Sequence, residues 1–154
     1  MIAWFDDLRV GMRFRSPTKL VTAEDIKRFA VEFDPQPYHL DEAAAERSPF
    51  KGLVASGWHT AAMAMRLAVE TRPFGPHPLL GIGVDDLRWL APVRPGDVIH
   101  LEGEVTELTP SRTKAQGTVR CKWTAFNQSG AAVWQHRPWR ASSVALRASL
   151  SSVR

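Results

Sequence analysis

Gly57-Trp58-His59-Thr60-Ala61-Ala62-Met63-Ala64-Met65-Arg66-Leu67-Ala68-Val69-Glu70 is the stretch on which the fold turns. Wound at helical pitch, Trp58, Ala61, Ala62, Met63, Ala64, Met65, Leu67, Ala68 and Val69 cover most of the circumference, and Pro73 closes the segment soon after. The run is shorter than the roughly 20 apolar residues that a bilayer span requires. A helix that is apolar nearly all round, yet too short for a membrane, belongs inside a protein.

Past this helix the apolar period drops to two. Ile99, Leu101 and Val105 alternate with His100, Glu102, Glu104 and Thr106, and Val119, Cys121, Trp123 and Ala125 alternate with Thr118, Arg120, Lys122 and Thr124. Both are strands with one buried face. Thr109-Pro110-Ser111 and Asn127-Gln128-Ser129-Gly130 carry the residue types of turns between antiparallel strands, and 131–141 reads as the last strand. An earlier strand fits 79–90, ahead of Pro92-Val93-Arg94-Pro95-Gly96-Asp97, and another lies near 12–21. With the buried helix these elements predict an α+β fold, a curved antiparallel sheet wrapped around a long central helix. A sheet buries a helix on every side only by curving strongly.

A chain of 154 residues, 44% of them hydrophobic, suits a single domain. That domain is expected to occupy 1–141, with 142–154, rich in Ser, Ala and Arg, as a loosely packed tail. Met1 to Asp7 lacks the charged-then-apolar order of a signal peptide, so a soluble cytoplasmic protein with no membrane partner is expected. Cys121 is the sole cysteine, which rules out an intrachain disulfide; its plainest reading is a small buried apolar side chain. The histidines lack metal-ligand spacing, and no metal is expected. The net charge of +4 favours a phosphate-bearing partner such as coenzyme A. The basic residues form no run and no aromatic-basic interleaving, so no nucleic-acid partner is expected. Gly-x-Ser-x-Gly is missing, and neither a P-loop nor Gly-x-Gly-x-x-Gly follows a strand, which removes the first requirement of a serine hydrolase and of the common nucleotide sites.

Upstream, Thr22 precedes Asp25 in a capping pattern, and Ile26, Phe29, Ala30 and Phe33 recur at helical spacing, which predicts an amphipathic helix over 22–33. It should stop at Asp34, because Pro35 disfavours helical geometry in the residue before it. Pro37 stiffens the chain again, so Asp34 to His39 reads as a rigid turn, followed by a short polar helix over 41–47 and a connection at Ser48-Pro49-Phe50-Lys51-Gly52.

Asp34-Pro35-Gln36-Pro37-Tyr38-His39 is the strongest chemical signal. A carboxylate takes a proton from water and an imidazole gives or receives one near neutral pH, so a proline-braced pair can hold and polarise a single water. The same residues also read as a helix end, a proline turn and an ordinary histidine. At Gly52-Leu53-Val54-Ala55-Ser56-Gly57-Trp58-His59, unpaired N–H groups opening the buried helix would attract negative charge, such as that on an enolate oxygen. The plain alternative makes Ser56 an N-cap and Gly57 a packing residue. His59 reads either as a polar group near a substrate or as a core residue.

At these residues the sequence resembles the MaoC-like dehydratase family, the hot-dog-fold group that includes the R-specific enoyl-CoA hydratases. The resemblance covers most of the chain except the tail. The family's hydratase motif, Asp, any residue, usually Asn, Pro, an apolar residue and His, is met by Asp34 through His39, with Gln36 in place of the usual Asn. The glycine whose N–H is thought to receive the thioester oxygen is matched by Gly57, while Met65 stands near the place of a family serine. Val84 to Asp97 resembles the strand bordering the acyl pocket and the Pro-x-x-x-Gly-Asp turn that follows it.

The resemblance implies a hot-dog homodimer with an acyl pocket at or near the subunit interface. It implies hydration or dehydration of an acyl thioester, with coenzyme A part of the substrate and no separate cofactor. Asp34, His39 and Gly57 become the catalytic candidates, and Gln36, Ser56, Trp58 and His59 the substrate-binding ones. Asp34 would take a proton from water attacking the β carbon of an α,β-unsaturated thioester, while His39 orients that water and supplies or relays a proton to the α carbon. A hot-dog thioesterase and a non-catalytic acyl-CoA-binding or dimerisation domain are the competing readings.

Overall fold

The computed structural model describes residue 2 and residues 4–77 and 80–145, with 137–145 described by their backbone. The strands are β1 (Arg13–Arg15), β2 (Lys19–Leu20), β3 (Leu80–Val84), β4 (Arg88–Trp89), β5 (Val98–Pro110), β6 (Gln116–Phe126) and β7 (Ala132–Ala145). They form one antiparallel sheet in the order β1-β5-β6-β7-β3, with β2 beside β5 and β4 beside β7. The helices are α1 (Ala23–Phe33), α2 (Pro37–Leu40), α3 (Glu42–Arg47) and α4 (Gly57–Thr71).

The period-two segments behave as the alternation dictates. Ile99, Leu101 and Val105 of β5 and Val119, Cys121, Trp123 and Ala125 of β6 are all buried. Gly103 completes the inward set on β5: a Cβ there would run into the ring of Trp123, its register partner on β6, so glycine makes room for the indole. Register shifts between Val105 and Glu107, and at three points along β6 and β7, supply bends of the kind that let a sheet curl. Cys121 is buried, and burial pushes its thiol up to about 12, which keeps it protonated and chemically quiet.

Several expected boundaries move. The strand expected over 79–90 is split into β3 and β4, because the chain turns through Asp86, held at φ 48°. The strand expected near 12–21 is likewise two short pieces on either side of Pro17. β5 runs through Pro110, so the turn falls at 111–115 instead of Thr109-Pro110-Ser111. The last strand continues past Ala141 to Ala145, into the stretch expected to be tail, while 146–154 lie outside the described residues. Asp34 to His39 is not wholly a turn: Pro37 opens α2, and His39 sits on it.

The central helix is covered on one side only, which corrects the expectation of burial all round. Met63, Ala64, Leu67 and Ala68 are buried, but Trp58, Met65 and Val69 are 60%, 45% and 54% exposed. Positions 58, 65 and 69 recur at helical spacing and so share a face. Leu80, Ile82 and Val84 of β3 are exposed as well, so the apolar residues that made the helix look fully internal lie on faces that this sheet does not reach. None of the helices among the described residues is long and apolar enough to cross a membrane.

Candidate active site

The end of α1 and the start of α4 meet through their capping residues. Thr22 caps α1 by accepting from the Asp25 N–H at 3.1 Å, and at the other end the Asp34 N–H reaches Ala30 O at 3.0 Å, leaving the Asp34 carboxylate beyond the last turn. Ser56 is the N-cap of α4, its hydroxyl oxygen accepting from the Trp58 N–H at 3.2 Å while the same hydroxyl donates to Asp34 Oδ2 at 2.6 Å. The Gln36 amide donates to Asp34 Oδ1 at 2.7 Å, and its own carbonyl accepts from the Tyr38 hydroxyl at 2.6 Å.

His39 lies on the single turn of α2 and is 4% exposed. Its Nδ1 is 2.8 Å from Val54 O, and its Nε2 is 3.4 Å from Asp34 Oδ2. A carbonyl can only accept, so Nδ1 carries a hydrogen, and Nε2 is the ring nitrogen that faces the Asp34 carboxylate. The Ser56 hydroxyl holds the Asp34 carboxyl below the ordinary carboxylate range; partial burial opposes this, and the Gln36 amide and the charge on His39 reinforce it.

His39 and Gly57 share the wall of one cleft of about 340 Å³, together with Tyr38, Phe50, Thr60 and Trp89. Asp34 is not part of that wall and meets it through His39. The N–H of Gly57, first in α4, has no acceptor within its own helix and meets none among the described residues. The indole of Trp89 lies flush against Gly57: its Nε1–H donates to Gly57 O at 2.6 Å, and a Cβ on residue 57 would sit 2.6 Å from Nε1.

The four substrate-binding candidates scatter. Gln36 and Ser56 brace the carboxylate, and Ser56 is fully buried. Trp58 lines a second, apolar cavity of about 400 Å³ with Ala61, Met65, Ala68, Leu87 and Trp134. His59 is set apart from the cleft, buried with its ring stacked on Phe29 at 4.9 Å, and burial, opposed by the charge of Asp25, lowers it to about 4. Met65, in place of a polar residue, faces the apolar cavity. The sequence offered no marker for Trp89 as a cover over Gly57, or for Val54 as the carbonyl that fixes the His39 tautomer, since both depend on partners distant along the chain. Among the described residues no cluster of His, Cys, Asp and Glu could hold a metal ion.

The sequence matches the MaoC like domain over residues 8–126. A 3-hydroxybutyryl-CoA dehydratase of Methylorubrum extorquens is 34% identical over 121 residues, 78% of this chain and 74% of that protein. An (R)-specific enoyl-CoA hydratase of Rhodospirillum rubrum is 30% identical over 113 residues, 73% of this chain and 76% of that one. Among solved structures, a MaoC-like dehydratase from Rhodospirillum rubrum superposes with a TM-score of 0.86 at 44% identity, covering 94% of this chain and 97% of its own.

Proposed function

The chain belongs to the MaoC-like domain family, a hydro-lyase with the hot-dog fold, and from that premise we propose that it hydrates the α,β double bond of an enoyl-CoA-type thioester, or runs the reverse dehydration. The observation that carries the reading is the convergence of Asp34 Oδ2 and His39 Nε2 to 3.4 Å, with His39 and Gly57 in the wall of one cleft.

A water beside this pair donates one hydrogen to Asp34 Oδ2 and the other to His39 Nε2, which leaves an oxygen lone pair for the β carbon. As the carbon–oxygen bond forms, the alkene electron pair moves toward the thioester carbonyl, and the Gly57 N–H at the positive end of α4 meets the developing oxyanion. His39 takes the water's proton and returns it from Nε2 to the α carbon. A carboxylate with a lowered pKa is a weaker base than an ordinary one but a better counter-charge for an imidazolium. In this proposal the base is therefore His39, and Asp34 anchors the water and stabilises the charged ring.

The exposed apolar side chains Trp58, Met65 and Val69 of α4 and Leu80, Ile82 and Val84 of β3 support a homodimer in which a second copy covers them.

The test is hydration of crotonyl-CoA, followed as loss of the enoyl absorbance, with free thiol monitored in the same cuvette. Folded Asp34→Asn and His39→Gln variants should each lose at least about 100-fold in kcat/KM. Wild-type activity in either variant removes that residue from the mechanism, and thiol release without hydration makes the protein a thioesterase.

A further inference from the structure

We propose that the Trp58–Trp89 pair is a partition that restricts this site to short acyl chains, an inference that rests on the hydratase reading above. The cleft holding His39 and Gly57 and the apolar cavity holding Met65 and Ala68 have no wall residue in common, although their walls alternate along the same segments. Gly57 and Thr60 belong to the cleft while Trp58 and Ala61 belong to the cavity, and Trp89 belongs to the cleft while Leu87 belongs to the cavity.

Gly57, Ala61, Ala64 and Ala68 are spaced by four, three and four residues, which puts them on one face of α4. That face runs from Gly57, in the wall of the cleft, to the apolar cavity, whose wall includes Ala61, Ala64 and Ala68. At the Gly57 end of that face lies the indole of Trp89, fixed by its hydrogen bond to Gly57 O. Trp58 abuts it edge to face, with ring centroids 5.3 Å apart and planes at 79°, and forms the near wall of the cavity. A straight chain attached to a thioester at Gly57 meets these two rings before it reaches the cavity. The longer the chain, the more it must displace the two rings, and discrimination of about tenfold or more is what a pocket wall provides against added methylenes.

The full chain and its Trp58→Ala and Trp89→Leu variants are assayed with trans-2-enoyl-CoA esters of four and eight carbons. Binding of butyryl-CoA and octanoyl-CoA is measured alongside by calorimetry, which reads the partition without turnover. Circular dichroism and sedimentation confirm that fold and assembly are retained. The expected result is a wild-type protein that prefers the four-carbon ester, and variants in which the ratio of eight- to four-carbon kcat/KM rises at least about tenfold, with octanoyl-CoA binding rising in parallel. Equal use of both chain lengths by the wild type, or an unmoved ratio in both variants, overturns the partition while leaving hydration intact. Absence of any hydration overturns the hydratase reading, and the binding ratio then decides the partition by itself.

Discussion

Ser56 donates its hydroxyl hydrogen to Asp34 Oδ2 at 2.6 Å, so the cap that starts one helix holds the carboxylate that ends another. The same oxygen accepts the Trp58 N–H, and Ser56 is fully buried, so no water stands in for it. Replacing Ser56 with Ala removes the largest influence lowering the Asp34 pKa, and the carboxyl should titrate upward toward its ordinary range. The lost cap costs about 1 kcal/mol of stability. Hydration should fall by about tenfold or more, while Ser56→Thr, which keeps the hydroxyl, restores most of it. Carbon-13 NMR of the labelled carboxyl is the decisive measurement: an Asp34 titration unmoved in Ser56→Ala shows that the serine serves the helix alone.

Gln36 braces the opposite oxygen, donating to Asp34 Oδ1 at 2.7 Å, but it is exposed. Water can replace an exposed amide donor, and Gln36→Ala should therefore cost less activity than Ser56→Ala, a loss of about threefold, or under 1 kcal/mol. Gln36→Asn shortens the reach by one methylene and cannot both donate to Asp34 and accept from the Tyr38 hydroxyl as Gln36 does. Steady-state kinetics of the three variants side by side settle the ranking, and a Gln36→Ala loss as large as that of Ser56→Ala contradicts it.

These two braces show what could be seen before the fold was known. Strand alternation on β5 and β6 and the cap at Thr22 were legible because each depends on neighbours within a few residues, and so was the Asp34–His39 pair, five positions apart. The one-sided covering of α4 was not legible, since an apolar residue facing an open flank looks the same in sequence as one facing the core. The role of Ser56 was only half visible: its capping partner is two residues away, whereas Asp34 lies 22 positions upstream. The split of the 79–90 strand hung on a backbone angle at Asp86 that no side-chain pattern announces.

Gly57 has no space for a side chain. A Cβ there would lie 2.6 Å from Trp89 Nε1 and 2.8 Å from Cε2, and the indole is tied in place by its bond to Gly57 O and by Trp58. Gly57→Ala gains up to about 1 kcal/mol of helix propensity, yet overpacking costs about 1–3 kcal/mol, so the net sign is destabilising. Displacing the indole also disturbs the amide proposed to meet the oxyanion, and on that proposal activity should fall at least about 100-fold. Gly57→Ala in a Trp89→Leu background should recover part of both losses, and the double-mutant cycle in denaturant and kinetics reads the coupling. Strict additivity would mean that the two residues do not press on each other.

His59 and His136 are both buried, and burial lowers each to about 4 from an ordinary value of 6.5; the charge of Asp25 partly opposes this at His59. Between those values the unfolded chain binds more protons than the folded one, so stability rises with pH. The contribution is complete above about pH 6.5 and is lost as the pH falls toward 4, at about 1–2 kcal/mol for each ring after allowance for solvent screening. Urea unfolding at pH 7.5, 6, 5 and 4.5 should therefore show a falling midpoint with little change in slope. His59→Phe, which keeps an aromatic ring against Phe29, removes one of the two titrating groups and should flatten the decline by about half. A midpoint that holds constant from pH 7.5 to 4.5 in the wild type would mean that neither imidazole resists protonation in the fold.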